Sequence, residues 1–240
     1  AVDIHLLPGC YYTDRTEHDV TAGAMYDPGV YMFAMGSMGQ YNEDMGLGVI
    51  RWLEKNKPTF KPKRILDMGC SVGHCTLPYG DAFPSARIDA IDVAPPVLRY
   101  AQARAESMGY SINFSQQNAE ATNFEDGTFD LIVSHILLHE TSRKAVYNIM
   151  RECFRLLKPG GIVLHADVPI DNKALDPYSA FMRDWSTHYN AEPFWGTLHD
   201  MDLKDPAKSA GFAAQNIIVD HTQTTKHWKL PSWLVFGAVK

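Results

Sequence analysis

The stretch "RILDMGCSVGHCTLPYG", residues 64–80, decides how this chain folds. It runs from an apolar segment through an acidic residue, glycines and a serine into what reads as the start of a helix. Gly69 and Gly73 permit backbone conformations and close approaches that a side chain would block. Such a turn between a strand and a helix presents backbone N–H groups to a ligand, and an anionic group suits it. The stretch therefore predicts a ligand-binding turn at the end of a strand.

Strand-like and helix-like segments alternate along the rest of the chain. The predicted strands are residues 64–69, 86–93, 112–118, 129–135 and 161–168. Residues 95–109 read as a helix that begins at prolines and stops at Gly109. Residues 142–161 read as a helix with periodic apolar positions that ends at a Lys-Pro-Gly-Gly sequence. Strands that alternate with helices imply a parallel sheet covered on both faces.

Two regions lie outside this alternation. Residues 1–60 are predicted to form a helical cap, because the half next to the glycine turn reads as a helix. Residues 169–202 follow the fifth strand and predict a lid or a dimer surface. This second region contains several aromatic residues, which are Phe181, Trp185, Tyr189, Phe194 and Trp195.

The last part of the chain returns to the sheet. A short helix ends at "SAGF", and strands are predicted near residues 216–220 and over residues 233–240. Two strands without a helix between them suggest an antiparallel hairpin at the sheet edge. We therefore predict one domain, residues 1–240, of the doubly wound, Rossmann-like α/β class. Its core would comprise residues 61–168 and 203–240.

Charge and composition limit the partners of the chain. The formal net charge of −6 argues against binding of nucleic acid or anionic membrane through a broad basic surface. No apolar stretch approaches the ~20 residues needed to span a bilayer, and the first residues lack a signal-peptide pattern. The four cysteines form no C-x-x-C pair, so we expect reduced thiols. These features predict a cytoplasmic protein with a small-molecule partner.

Other nucleotide-binding patterns fit the glycine turn poorly. A dinucleotide fingerprint would be G-x-G-x-x-G, whereas this chain has Ser71 in the second position and His74 in the last. This weakens the alternative of a nicotinamide-dependent oxidoreductase. The G-x-x-x-x-G-K-[ST] pattern of nucleoside triphosphatases is also absent.

The pattern Asp67-x-Gly69-x-Ser71-x-Gly73, followed by Asp92 at the end of the second strand, resembles the class I S-adenosylmethionine-dependent methyltransferases. Further motifs follow in the order of that family: "NAEATNF" from residue 118, "FDLIVSHILLHE" from residue 129 and "LKPGGIVL" from residue 157. The resemblance implies S-adenosylmethionine (SAM) as the cofactor. It also implies a seven-stranded sheet whose last strand is inserted antiparallel.

The resemblance assigns cofactor-binding roles to individual residues. Residues implied to face the methionine part of SAM are Asp67, Gly69, Cys70, Ser71, Gly73, Ser134 and His135. Residues implied to hold the nucleoside part are Asp92 for both ribose hydroxyls, Val93 beside the adenine, and Asn118 and Ala119 at its edge. Ser71 stands where glycine is commonest in the family, and we expect it to fit with a negative φ. Structural roles stay open for both carboxylates, since Asp67 could cap the turn and Asp92 could cap the following helix.

Several side chains are candidates for chemistry. Histidine titrates near neutrality, so His135, with His139 and Glu140 as further candidates, could take a proton from an acceptor. His139 could instead pack structurally. A metal site is a further alternative, and its ligands would be His135, His139, Glu140, His165 and Asp167. We expect no metal there, because the spacing matches no familiar site. Aromatic residues that could close over the cationic sulfonium are Tyr26, Tyr31, Phe33 and Trp195.

Absent motifs narrow the acceptor. The fourth strand ends in "SHIL" rather than in the N/D-P-P-Y of enzymes that methylate amino groups of bases. We therefore predict a methyltransferase that acts on a small metabolite, with an oxygen or carbon acceptor favoured and nitrogen or sulfur left open. The alternative is a SAM-binding protein without transfer activity, serving as a subunit or sensor. A homodimer through the cap or the lid also stays open.

Overall fold

A seven-stranded sheet forms the centre of the fold, in a computed structural model that describes residues 11–168, 176–189, 191–222 and 232–240. Its strands are β1 (Arg64–Met68), β2 (Arg87–Asp92), β3 (Asn113–Gln116), β4 (Phe129–His135), β5 (Leu157–Asp167), β6 (Ile217–His221) and β7 (Leu234–Val239). The strand order is β3-β2-β1-β4-β5-β7-β6. Strands β1 to β5 pair in parallel, and β7 lies antiparallel between β5 and β6. The predicted fold class, including the inserted antiparallel strand, is confirmed.

Helices precede, connect and follow the strands. The α-helices are α1 (Thr21–Phe33), α2 (Asp44–Asn56), α3 (Leu77–Ala82), α4 (Pro95–Ser107), α5 (Arg143–Leu156), α6 (Pro177–Tyr189), α7 (Trp195–His199) and α8 (Lys204–Ala210). A 3-10 helix, Leu138–Glu140, follows β4. None of the described helices combines the length and apolar character needed to cross a membrane.

The sheet is covered on both faces, as the alternation of strands and helices predicts. Leu66 and Met68 of β1 pack in a cluster with apolar residues of α5. Ile65, on the opposite face of the same strand, packs in a second cluster with residues of α2, α3 and α4. This alternation along β1 follows from the two-residue period of a strand.

The cap contains a helix that the sequence did not predict. Helix α2 confirms the predicted helix before the glycine turn, but α1 carries Pro28 in its interior. Proline and glycine disfavour helix interiors, so this segment does not read as a helix. Tertiary packing overrides the propensity, since α1 lies against α4. A Cβ atom at Gly23 would lie 2.4 Å from the Cβ atom of Tyr100, so glycine is needed for this close approach.

The helix before β5 ends just before the Lys-Pro-Gly-Gly sequence, as predicted, but β5 begins earlier than predicted. Helix α5 ends at Leu156, and β5 begins at Leu157, so the Lys-Pro-Gly-Gly sequence lies inside the strand. The register shifts within this segment, because Phe129 pairs with Leu157 whereas Leu131 pairs with Ile162. The proline and glycines therefore follow the helix end and form an irregular entry into β5.

Candidate functional site

A cavity of about 800 Å³ lies at the carboxyl ends of the parallel strands. Strands β1 and β4 meet in the sheet where the strand order changes direction, which is where ligands bind in open α/β sheets. Four predicted site residues line the cavity in the order of their strands from β3 to β4: Asn118, Asp92, Asp67 and His135. The sheet thus brings residues far apart in sequence into one row.

Several backbone N–H groups of the glycine turn are bonded within the protein itself. The N–H groups of Gly69 and Cys70 both donate to the carbonyl of Ile91, at 2.8 and 3.0 Å. The Gly73 N–H donates to the carbonyl of Cys70. These three amides are bonded within the protein, and an anionic group on the turn stays a prediction. The turn also brings the backbone close to the cavity, which Gly69 and Cys70 line and Gly73 does not.

Ser71 adopts a left-handed backbone conformation with φ of 46°, so the expectation of a negative φ is wrong. This conformation costs a residue with a side chain about 1–2 kcal/mol. The Ser71 N–H donates to Oδ2 of Asp92 at 2.9 Å, which holds the turn in place. Gly69 also has a positive φ, and a Cβ atom there would lie 2.8 Å from Cδ1 of Leu137.

Helix α2 closes the back of the turn through a buried glycine. A Cβ atom at Gly46 would lie 2.5 Å from the carbonyl oxygen of Cys75. Because that obstacle is backbone, we expect Gly46→Ala to lower the free energy of unfolding by about 1–3 kcal/mol. Gly29→Ala in α1 is the matched control, since a Cβ atom there meets nothing within 4 Å. Chemical denaturation should show a gain of about 0.5–1 kcal/mol for the control, and a loss in both variants would contradict this packing.

Asp92 bonds to the backbone at the start of α4, which fits the capping role that the sequence leaves open. Its Oδ2 atom accepts from Ser71 and its Oδ1 atom accepts from the N–H of Ala94, at 2.9 Å, at the start of α4. Burial raises the pKa of this carboxyl, and the backbone hydrogen bonds oppose that shift. Each carboxylate oxygen can still accept a further hydrogen bond from the cavity. The neighbouring residues that line the same part are Val93, Ala94, Asn118 and Ala119.

Asp67 links the glycine turn to the end of β4. Its Oδ2 atom accepts from the hydroxyl of Thr76 at 2.6 Å, and its Oδ1 atom lies 3.5 Å from Nδ1 of His135. Nε2 of His135 lies 3.2 Å from the hydroxyl of Tyr79. Asp67 and His135 are almost fully buried and line the cavity, so they form a polar pair beside the turn.

His139 forms a second polar pair at the other side of His135. Its Nδ1 atom lies 2.6 Å from Oδ1 of Asp167, which ends β5. Burial lowers the pKa of His139, but the charges of Asp167, Glu140 and Glu192 outweigh it and raise the pKa to about 9. Trp195 covers the ring, with 5.0 Å between ring centroids. His139 and Glu140 therefore line the cavity as part of a charged cluster.

Three predicted site residues do not line the cavity. Ser134 is buried, and its hydroxyl lies 2.7 Å from Nδ1 of His165 in the neighbouring strand. Burial lowers the pKa of His165 to about 4. Among the described residues, the ligand atoms of the five-residue metal set that includes His165 do not come together. Tyr31 is 47% exposed and, like Gly73, lies outside the cavity lining.

The cap is joined to the turn by a polar network that sequence analysis missed. Oδ1 of Asp27 lies 2.6 Å from Nε2 of His74, and Oδ2 of Asp27 accepts from the hydroxyl of Tyr100 at 2.8 Å. Arg104 forms an ion pair with the same carboxylate. Tyr26, which lines the cavity as predicted, stacks on His74. His74, the residue that breaks the dinucleotide fingerprint, thus anchors α1 over the turn.

Sequence comparisons agree with this geometry. A family model described as "Methyltransferase domain" matches residues 65–161. The chain is 32% identical over 108 residues to the demethylmenaquinone methyltransferase of Thermus thermophilus, covering 45% of this chain and 48% of that protein. It is 31% identical over 148 residues to the demethylmenaquinone methyltransferase of Lactococcus lactis, covering 59% of this chain and 54% of that protein. The chain thus spans about half the length of these curated relatives.

A solved structure shares the fold over nearly the whole chain. Phosphoethanolamine N-methyltransferase 2 of Haemonchus contortus, in complex with SAM, superposes with a TM-score of 0.65 and 18% identity, covering 95% of this chain and 58% of that one. At this identity the likeness concerns the fold. The family match covers the glycine turn and the strands up to the entry of β5. Residues 65–161 therefore form a methyltransferase domain, and the strand order of the sheet is that of the class I SAM-dependent methyltransferases.

Proposed function

We propose that this chain transfers the methyl group of SAM to a small-molecule acceptor, with an oxygen or carbon acceptor favoured. The observation that carries the proposal is the row of Asn118, Asp92, Asp67 and His135 along one sheet edge, in one cavity. Ligand pockets commonly measure ~300–1,000 Å³. A cavity of about 800 Å³ lies in the upper part of that range and leaves room for an acceptor beside the cofactor.

The proposed cofactor position follows the row of side chains. The adenine edge would lie at Asn118 and Ala119, and the ribose hydroxyls would donate to Asp92, because a carboxylate only accepts. The methionine part would lie along Gly69 and Asp67. Tyr26 would cover the cofactor from the cap, since it lines the cavity above the turn. This order leaves the end at β4 and β5 for the acceptor.

Methyl transfer from a sulfonium is an in-line displacement in which the positive leaving group becomes neutral. The protein mainly aligns the acceptor with the methyl group, and a base is needed only when the acceptor must lose a proton. We assign that base to His135, which lines the cavity beside Asp67. When no cation is bound, the pKa of His139 is raised to about 9, so it is protonated at neutral pH and suits charge stabilisation better than proton abstraction.

The favoured acceptor class draws on the relatives. Two are named demethylmenaquinone methyltransferases, and a protein from Pseudomonas putida, 26% identical over 191 residues, is named a ubiquinone biosynthesis O-methyltransferase. These names support a phenol- or quinol-like acceptor. Aromatic residues line the acceptor end, where Trp195 packs on His139 and Tyr189 lies nearby in the lining. Flat aromatic acceptors suit such walls.

The proposal also covers the location, the domain organisation and the oligomeric state of the protein. We infer a cytoplasmic protein that folds as one domain, with residues 1–60 as the cap and 169–202 as the lid. A homodimer through either region would need exposed apolar side chains. Both supply them, since Met32 and Phe33 of α1 are 70% and 80% exposed, and Phe181 of α6 is 59% exposed.

The test separates cofactor binding from turnover. Isothermal titration with S-adenosylhomocysteine (SAH) should show saturable binding, and NAD, the control ligand, should show none. Labelled SAM should then transfer its methyl group to members of a panel of catechols and naphthohydroquinones. SAH binding without transfer to any acceptor class would favour the non-catalytic alternative. Binding of NAD in place of SAH would overturn the proposal.

A further inference from the structure

Two parts of the chain that are distant in sequence bring three side chains together at the proposed acceptor end of the cavity. His139, Glu140 and Glu192 each offer one ligand atom, and these atoms lie within 4.8 Å of one another. Nε2 of His139 lies 3.7 Å from Oε1 of Glu140. His139 and Glu192 are 2% and 7% exposed, and all three residues line the cavity. The spacing of His139 and Glu140 alone does not reveal this cluster, because Glu192 lies in the predicted lid.

His139 has the carboxylate partner at its second ring nitrogen that metal-binding histidines usually have. Its Nδ1 atom contacts Asp167 at 2.6 Å, and Asp167 also accepts from the N–H groups of Leu138 and Val168. Metal-binding histidines usually donate the second ring N–H to a carboxylate, which fixes the ring and raises the basicity of the ligand nitrogen. Asp167 therefore leaves Nε2 of His139 to face Glu140 and the cavity.

We propose that His139 Nε2 and one carboxylate oxygen each from Glu140 and Glu192 bind a divalent transition-metal cation. One imidazole and two carboxylates suit Mn²⁺, Fe²⁺ or Zn²⁺. Three protein ligands leave coordination positions for a water or a substrate oxygen. If the proposed function holds, an acceptor hydroxyl bound there would lose its proton more readily, because a bound cation lowers the pKa of its oxygen ligand.

The same geometry has a metal-free alternative. A protonated His139 could neutralise part of the charge of the surrounding carboxylates without any cation. The two alternatives differ in what a cation does to the lid. Glu192 lies between α6 and α7, whereas His139 and Glu140 follow β4, so a bound cation would join the lid to the core. If His139 is protonated and no cation binds, added metal should not change how the lid is held against the core.

The experiment uses the full chain, freed of metal with a chelator and titrated with Mn²⁺ and with Zn²⁺ by calorimetry. We expect one saturable site per chain, a higher midpoint of thermal unfolding, and slower proteolysis within the lid. Glu192→Gln should weaken the binding at least tenfold. The matched control is Glu120→Gln, a carboxylate of the same cavity outside the cluster, which should keep the wild-type metal affinity.

Two outcomes overturn the metal site. Either the metal-free chain binds neither cation, or Glu192→Gln and Glu120→Gln bind them equally well. Absorption of bound Co²⁺ in the visible range provides a second measurement, because its bands change when a ligand is lost. SAH titration of the metal-free chain keeps this result separate from the proposed function. SAH binding without metal binding would refute the metal site alone, and the reverse would refute the proposed cofactor.

Discussion

Asp92→Ala is expected to weaken SAH binding at least 100-fold, the largest effect on cofactor affinity of any single change in the cavity. In the proposed position the carboxylate accepts from two ribose hydroxyls. Hydrogen bonds to a charged group contribute about 1.5–3 kcal/mol each. Loss of both corresponds to two or more factors of ten in the dissociation constant, since about 1.4 kcal/mol is one factor of ten. Isothermal titration with SAH measures the change.

The control for this prediction must account for the structural bonds of Asp92. Asp92 accepts from the N–H groups of Ser71 and Ala94, so its loss also loosens the turn. Asp130 makes a comparable pair of bonds, with the N–H groups of Lys63 and Arg64, and does not line the cavity. Asp130→Ala should therefore lose stability without losing SAH affinity. A folded Asp92→Ala variant with wild-type SAH affinity would rule out the proposed ribose position.

The sheet could be predicted because its signals are local. Strand β4 was predicted at its observed ends, and α4 begins at the predicted prolines. Apolar strands and proline at a helix start act within a few residues, so a single sequence carries them. The order of motifs along the chain then identified which strand ends carry Asp67 and Asp92. Both line the cavity, as predicted.

The features of the fold and of the candidate site that the sequence did not predict depend on contacts between residues far apart in sequence. Helix α1 forms because Gly23 packs on Tyr100, and no local signal announces that contact. Ser71 holds a positive φ while bonded to Asp92, 21 residues later. Glu192, between α6 and α7, lies near His139 only in the folded chain. Each of these features is decided by tertiary packing, which can override local preference.

His135→Ala is expected to lower turnover at least 100-fold and to change SAH affinity less than about threefold. A positioned general base typically contributes a factor of ~10²–10⁴ to the rate. His135 ends β4, lines the cavity and lies between Asp67 and Tyr79. Removal of its ring leaves the proposed contacts of Asp92 with the ribose in place. Methyl transfer to the acceptor found in the panel, compared with SAH titration, measures the two effects separately.

Two further variants distinguish proton transfer from packing. His135→Gln keeps a polar side chain of similar reach that cannot take up a proton at neutral pH, so it should be as slow as His135→Ala. His165→Ala removes a buried imidazole from the adjacent strand that does not line the cavity, so it should lose stability but keep turnover per folded molecule. If kcat falls no more than SAH affinity in His135→Ala, His135 binds the cofactor and takes no proton. In that case a cation bound at His139 would lower the pKa of the acceptor hydroxyl so that its proton goes to water, or the acceptor reacts without losing a proton.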